Sequence, residues 1–258
     1  MDLLRLEDVS VAFGPQAVLR GVSLAVRPGE TLALIGESGC GKSVLLKLLV
    51  GLLEPTAGTV AFESRPVAAM RERERTAMRL RVGFLFQGAA LFDSLSVGEN
   101  VAFGLRAKGG FDEAEIAGRV RDRLQEVGLT QAVAAKMPAD LSGGMRKRVG
   151  LARALALDPD VMLYDEPTTG LDPIMTDVIN ELILAVRKRR PVTSVVVTHE
   201  MRTVRKVADR VAMLYPLGRL DPGEPQVIYD GPPAGLAECP DQRVRQFVAG
   251  DAGGRLAE

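Results

Sequence analysis

The stretch "TLALIGESGCGKSVLLKLLV", residues 31–50, constrains the fold of this chain more than any other segment. An apolar run short enough for a buried strand passes into a loop with three glycines, and the loop passes into a leucine-rich run. The loop fits G-x-x-x-x-G-K-[ST], with Gly36, Gly41, Lys42 and Ser43 at the fixed positions. Glycines carry no Cβ, so backbone N–H groups can close around phosphate oxygens. A helix starting near Lys42 turns its unsatisfied N–H groups and positive dipole end toward the same anion. Lys42 would then reach the β- and γ-phosphates, and Ser43 would offer an oxygen to Mg²⁺. The alternative, a turn rich in small residues, does not explain the strand and helix on either side. The segment predicts nucleotide binding and says nothing of what the energy does.

The rest of the chain fits an α/β protein. Strand-like runs occupy residues 3–13, 22–26, "TLALIG", "GTVAF", "VGFLFQ" (82–87), "DVMLYDEP" and "VTSVVVTHE". A helix is expected over 42–53, a charged helix with a solvated face over 70–81, and helical patterning over 98–140 that looks like an insertion. Polar residues gather where strands end, which is where an α/β sheet carries its chemistry. With 258 residues, 47% of them apolar, the chain can bury a large core as one domain or as a core with an inserted subdomain. Its 33 basic and 33 acidic side chains balance, which argues against a dedicated nucleic-acid binder. The run "VLLKLLVGLL" contains Lys47 and is short of the ~20 residues that span a bilayer. The acidic N-terminus does not read as a secretory signal. Cys40 and Cys239 lack metal-ligand spacing; Cys40 reads as a small loop filler, with a reactive thiol as the alternative. The tail "GDAGGRLAE" is expected to be mobile.

Four further polar stations stand out. "VMLYDEP" ends an apolar strand in two acids: Asp165 suits Mg²⁺, and Glu166, pointing elsewhere, suits the attacking water. Alone such a pair is often only a strand-to-turn boundary, and the loop at 36–43 gives it its functional reading. "LSGGMRKR" (141–148) places a candidate N-cap, Ser142, and two glycines before a basic helix, which makes a second anion cradle. One triphosphate needs one cradle, so the second points to another copy's nucleotide and a two-fold dimer. The chain's single histidine, His199, ends "VTSVVVT", where a neutral imidazole could bond a γ-phosphate. Gln87 ends "VGFLF" and could reach Mg²⁺ or the water.

In this order the stations resemble the nucleotide-binding subunit of ABC transporters along nearly the whole chain: Walker A at 36–43, Q-loop Gln87, signature 141–145, Walker B 161–166, D-loop "GLDP" at 170–173 and switch His199. The resemblance implies a P-loop NTPase core with an antiparallel β subdomain and an inserted α-helical subdomain. It divides the chain into a core at 1–87 and 161–220, a helical subdomain at 88–160 and a C-terminal extension at 221–258. It implies an ATPase using ATP and Mg²⁺, with Glu166, His199 and Gln87 catalytic and Ser43, Gln87 and Asp165 at the metal. It further implies nucleotide contacts from Gly36, Glu37, Ser38, Gly39, Cys40, Gly41, Lys42, Ser43 and Val44, and from Ser142, Gly143 and Gly144 of the facing copy. Phe13 occupies the place of the aromatic that stacks on adenine, with an ordinary core phenylalanine as the alternative. Met145 departs from the commonest signature, which ends in Gln and there offers a side-chain contact, while Ser142, Gly143 and Gly144 remain.

The stretches "GAALFDSLSVGENVAF", "LSGGMRKRVGLARAL", "GLDPI" and "PDQRVRQFVAG" narrow the resemblance to the ATPase of Mla-type, MCE-associated phospholipid transport. The implied partners are a second copy, transmembrane permease subunits, an MCE-domain lipid-binding protein and a small STAS-type subunit, with no nucleic acid. The implied location is peripheral, on the cytoplasmic face of the inner membrane. Two alternatives stand beside this reading: an importer subunit for a polar solute, and an ATPase of DNA repair. The second normally carries long coiled coils or zinc modules, and none interrupts the segment between Gln87 and Leu141.

Overall fold

Residues 2–251 are described by the computed structural model, so the tail expected to be mobile lies, from residue 252 on, outside the described residues. The chain divides into two units, one running to Arg75 and resuming at Thr193, the other spanning Thr76–Val192.

The first unit carries two sheets. In one, β1 (Leu4–Phe13) pairs antiparallel with β2 (Gln16–Val26) and with β4 (Ala57–Phe62), and β4 pairs with the short β5 (Arg65–Pro66). The strand β2 begins at Gln16 rather than at the expected Val22. Ala17 and Gln16 pair with Ala12 and Phe13 directly across the turn. Hydrogen bonding to a neighbour thus carries the strand through a stretch where apolar alternation fails. In the other sheet, β3 (Thr31–Ile35) lies between β8 (Thr193–Val197) and β9 (Arg210–Leu214), parallel to both, and β10 (Val227–Gly231) runs antiparallel to β9. Every residue of β3 and β8 is buried, as a strand covered on both faces requires. Helix α1 (Lys42–Leu49) stops short of the expected Leu53, because Gly51 takes φ +64° and closes the helix in the left-handed region.

The "RVRQF" element forms α8 (Gln242–Ala249) and belongs to the core of this unit. Val244 is fully buried in a cluster with Ile35, Val211, Met213 and Leu236, and Phe247 packs against that cluster, as does α7 (Met201–Val207) through Met201. Arg243 pairs with Asp241 and Glu224, and Arg245 donates to the Cys239 and Pro240 carbonyls. Both bases are therefore engaged within the unit. Val244→Asp should destabilise it by about 3 kcal/mol, because an unpaired charge would enter an apolar cluster. A shifted denaturation midpoint at unchanged slope would report it.

The boundary between the units falls within α2 (Glu72–Arg79), whose charged face is solvated as expected. In the second unit, β6 (Val82–Leu85) pairs parallel with β7 (Val161–Asp165). Helices α3 (Val97–Lys108), α4 (Glu113–Glu126) and α5 (Gly143–Leu155) pack on one another, and α6 (Pro173–Arg189) follows β7. Capping boxes Ser96/Glu99 and Asp112/Glu115 start α3 and α4, and Gly109 and Gly110 at positive φ separate them.

Candidate nucleotide site

In the first unit the loop after β3 has the shape a phosphate cradle needs. Gly36 sits at φ +141°, and a Cβ there would lie 2.3 Å from the Leu214 carbonyl oxygen. Gly41, at φ +102°, caps α1, and a Cβ there would meet Leu19 at 2.5 Å. No other residue type fits these two positions without displacing backbone or core. Lys42 is buried and donates Nζ to the carbonyls of Gly36 and Glu37, both at 2.7 Å. The ammonium thus holds the loop around itself. Cys40 is buried, and burial pushes its thiol pKa up, with Lys42 opposing the shift. Ser38 and Gly39 are exposed at the loop tip.

His199 shares the edge where that loop stands. Strands β3 and β8 are parallel neighbours, Leu34 pairs with Val197, and Thr198 N–H donates to the Leu34 carbonyl at 3.1 Å. Thr198 Oγ1 accepts from the Glu200 N–H and braces the turn that leaves His199 exposed. Phe13 ends β1 with 49% of its surface exposed, which removes the alternative of a core phenylalanine.

In the second unit, register again sets the geometry. Leu85 pairs with Tyr164, so Gln87 and Glu166 leave the same ends of adjacent strands. Gln87 Nε2 donates to Glu166 Oε2 at 3.3 Å, and Thr169 Oγ1 donates to the same oxygen at 2.7 Å. Glu166 holds φ +46°, a strained conformation for a side chain this long. Asp165 is buried at the end of β7. Ser142 caps α5, its Oγ accepting from the Met145 N–H at 3.3 Å, and Asp172 caps α6 after the "GLDP" turn.

One residue escaped the sequence reading, which took the bases of 146–148 together. Lys147 is buried and donates Nζ to the Glu166 carbonyl at 2.9 Å and to the Gln87 carbonyl. It ties the start of α5 to both strand ends. Burial lowers its pKa, and the Glu166 and Asp165 carboxylates offset that. Helical spacing held the signal: Gly144, Lys147 and Leu151 share one buried face.

Among the described residues no group of three or more His, Cys, Asp or Glu side chains could hold a metal alone. Magnesium takes one or two protein oxygens and completes its shell with waters and phosphates. Within the second unit, Gln87 beyond the end of β6 and Asp165 at the end of its paired strand β7 offer two such oxygens.

A glycine loop closed by its own lysine, an acid pair at a strand end and a capped second glycine turn define a nucleotide-hydrolysing cassette. The chain belongs to the ABC transporter family, whose match covers residues 19–169, and it is an ATPase. A solved dimer of the ATP-binding cassette MJ0796, in a post-hydrolysis state bound to ADP and Pi, superposes with TM-score 0.78 at 31% identity, covering 89% of this chain and 98% of that one. The intermembrane phospholipid transport ATP-binding protein MlaF of Haemophilus influenzae is 38% identical over 98% of this chain and 92% of its own. The methionine import ATP-binding protein MetN of Caulobacter vibrioides is 45% identical over 82% of this chain and 64% of its own.

Proposed function

We propose that this chain is the ATP-binding subunit of a phospholipid transporter, acting as a homodimer on the cytoplasmic face of the inner membrane. The observation that carries the lipid reading is the extent of the likeness to MlaF. It runs over 98% of this chain and 92% of that protein, whereas the likeness to MetN is higher in identity but covers 82% and 64%. No helix among the described residues is long and apolar enough to cross a membrane, so permease subunits would supply the path.

In this reading Phe13 stacks on adenine, and the loop from Gly36 to Ser43, with Val44 behind it, wraps the phosphates. Lys42 adds charge-assisted hydrogen bonds to the β- and γ-phosphates. Glu166 takes the proton of the attacking water, held by Thr169 and Gln87 so that one oxygen is already oriented. His199 bonds the γ-phosphate and registers its loss. Ser142, Gly143 and Gly144 act on the nucleotide of the facing copy, where the start of α5 favours an anion. Mg²⁺, held by Ser43, Gln87 and Asp165, would neutralise charge on the β- and γ-phosphates.

A surface beyond Gln87 suits a permease helix. Phe92 and Phe103 are 41% and 47% exposed with ring centroids 4.6 Å apart. The turn that presents Phe92 is held by the buried Asn100, which donates to the carbonyls of Phe92, Leu95 and Ser96 and accepts from the Phe92 N–H. Phe92 on this hydrogen-bonded turn and Phe103 on α3 together form an exposed aromatic pair, a partner surface in form. An MCE-domain protein and a STAS-type subunit complete the proposed complex.

Phe92→Asp should leave ATP binding unchanged and weaken co-purification with the permease by about tenfold or more, since a charge would enter an apolar contact. The function is tested with the complex in liposomes, following ATP-dependent transfer of labelled phospholipid to or from its MCE partner. ATP hydrolysis with uptake of a polar solute and no lipid transfer would replace the lipid reading with the importer reading.

A further inference from the structure

The connection between β9 and β10, residues 215–226, is long for antiparallel neighbours, whose hairpin loops are commonly two to five residues. Two of its side chains reach the phosphate loop. Arg219 Nη1 lies 2.7 Å from Glu37 Oε2. Gln226, 1% exposed, donates Nε2 to the Cys40 carbonyl and to the Val18 carbonyl, both at 3.1 Å, while its Oε1 accepts from the Arg20 N–H at 3.0 Å. The connection is itself anchored. Arg20 Nη2 donates to the carbonyls of Asp221 and Glu224, and Arg243 from α8 pairs with Glu224 and lies 5.0 Å from the Tyr215 ring centroid.

We infer that this connection is a positioning element for the phosphate loop, in which Gln226 sets the Cys40–Gly41 peptide plane and Arg219 neutralises Glu37. A peptide unit is planar with its C=O and N–H on opposite sides. Drawing the Cys40 oxygen toward Gln226 therefore aims the Gly41 N–H the other way, into the cradle an anion would occupy. The hydrogen bond acts on a donor of the site without any contact between Gln226 and nucleotide. Glu37 is a negative charge within a loop that receives negative phosphates, and its pairing with Arg219 lowers the repulsion between them. Arg243 extends the chain of contacts, so the C-terminal helix supports the loop through Glu224 and Tyr215.

The inference rests on the proposed assignment of residues 36–43 to phosphate binding, and the test separates the two. ATP affinity and steady-state kinetics are measured on the full chain for Lys42→Ala, Arg219→Ala, Arg219→Lys, Arg219→Glu, Arg219→Glu with Glu37→Arg, and Gln226→Glu. Thermal unfolding without nucleotide serves as the fold control. Arg219→Ala should raise the KM for ATP about threefold at unchanged kcat, as expected for a partly exposed ion pair. Arg219→Lys should recover most of the loss, and the charge-reversed pair should bind better than Arg219→Glu alone. The gap between wild type and Arg219→Ala should narrow at high salt, which a purely structural defect would not do. Gln226→Glu turns a donor into an acceptor facing two carbonyls and should weaken ATP about tenfold or more. If Gln226→Glu does not fold, the Arg219 series decides alone. Wild-type affinity in folded Arg219→Ala and Arg219→Glu, with Lys42→Ala impaired, would overturn the inference and leave the loop assignment standing. Wild-type affinity in Lys42→Ala would overturn both.

Discussion

A chain carrying Glu166→Gln should bind ATP like the wild type and hydrolyse it at least about a hundredfold more slowly. The amide keeps the length and shape of the side chain, so the contacts from Thr169 and Gln87 can re-form around its oxygen. It cannot accept a proton. The left-handed backbone at this position is retained, since Gln and Glu share the same strain there. Single-turnover hydrolysis beside an ATP titration separates the two steps, and an ATP-bound dimer should accumulate by light scattering. Turnover at the wild-type rate would remove Glu166 from the proton transfer and leave Gln87 and His199 as the groups to test.

The second large effect is expected at Lys42. Its ammonium already bonds the Gly36 and Glu37 carbonyls and is poised to add the phosphates as partners. Lys42→Ala removes the charge together with the bonds to both carbonyls and to Cys40 Sγ, so ATP affinity should fall by about two orders of magnitude. Circular dichroism and thermal unfolding identify any share that comes from a misshapen loop. A titration with unchanged affinity would contradict the assignment of this loop to phosphate binding.

Several features of the chain were legible because their cause is local. The shape of the phosphate loop follows from Gly36 and Gly41 taking φ values that other residues avoid, and the residue pattern declares it. The N-cap at Ser142 is a property of one side chain and the helix beside it. Fully buried strands such as "TLALI" and "TSVVV" announce themselves by unbroken apolar runs, and the α/β ABC ATPase fold follows from their alternation with helices.

Strand identity faded where pairing rather than pattern decides it. Residues 16–21 join β2 because β1 lies alongside, and β10 is half-buried with little alternation to mark it. Side-chain roles set by distant partners were also hidden. Nothing near Gln226 in the chain marks it as the bond that holds Cys40, 186 positions away. Lys147 read as one base among three until packing buried it against two carbonyls. Nothing local to "RVRQF" shows that folding binds both Arg243 and Arg245 within their own unit. The sequence by itself determined the backbone shape of the loop at residues 36–43 and the class of fold, because backbone freedom and apolar periodicity are carried by adjacent residues. Only the tertiary structure decided which side chains hold that loop in shape, because hydrogen bonds between segments far apart in the chain exist only after the strands between them have paired.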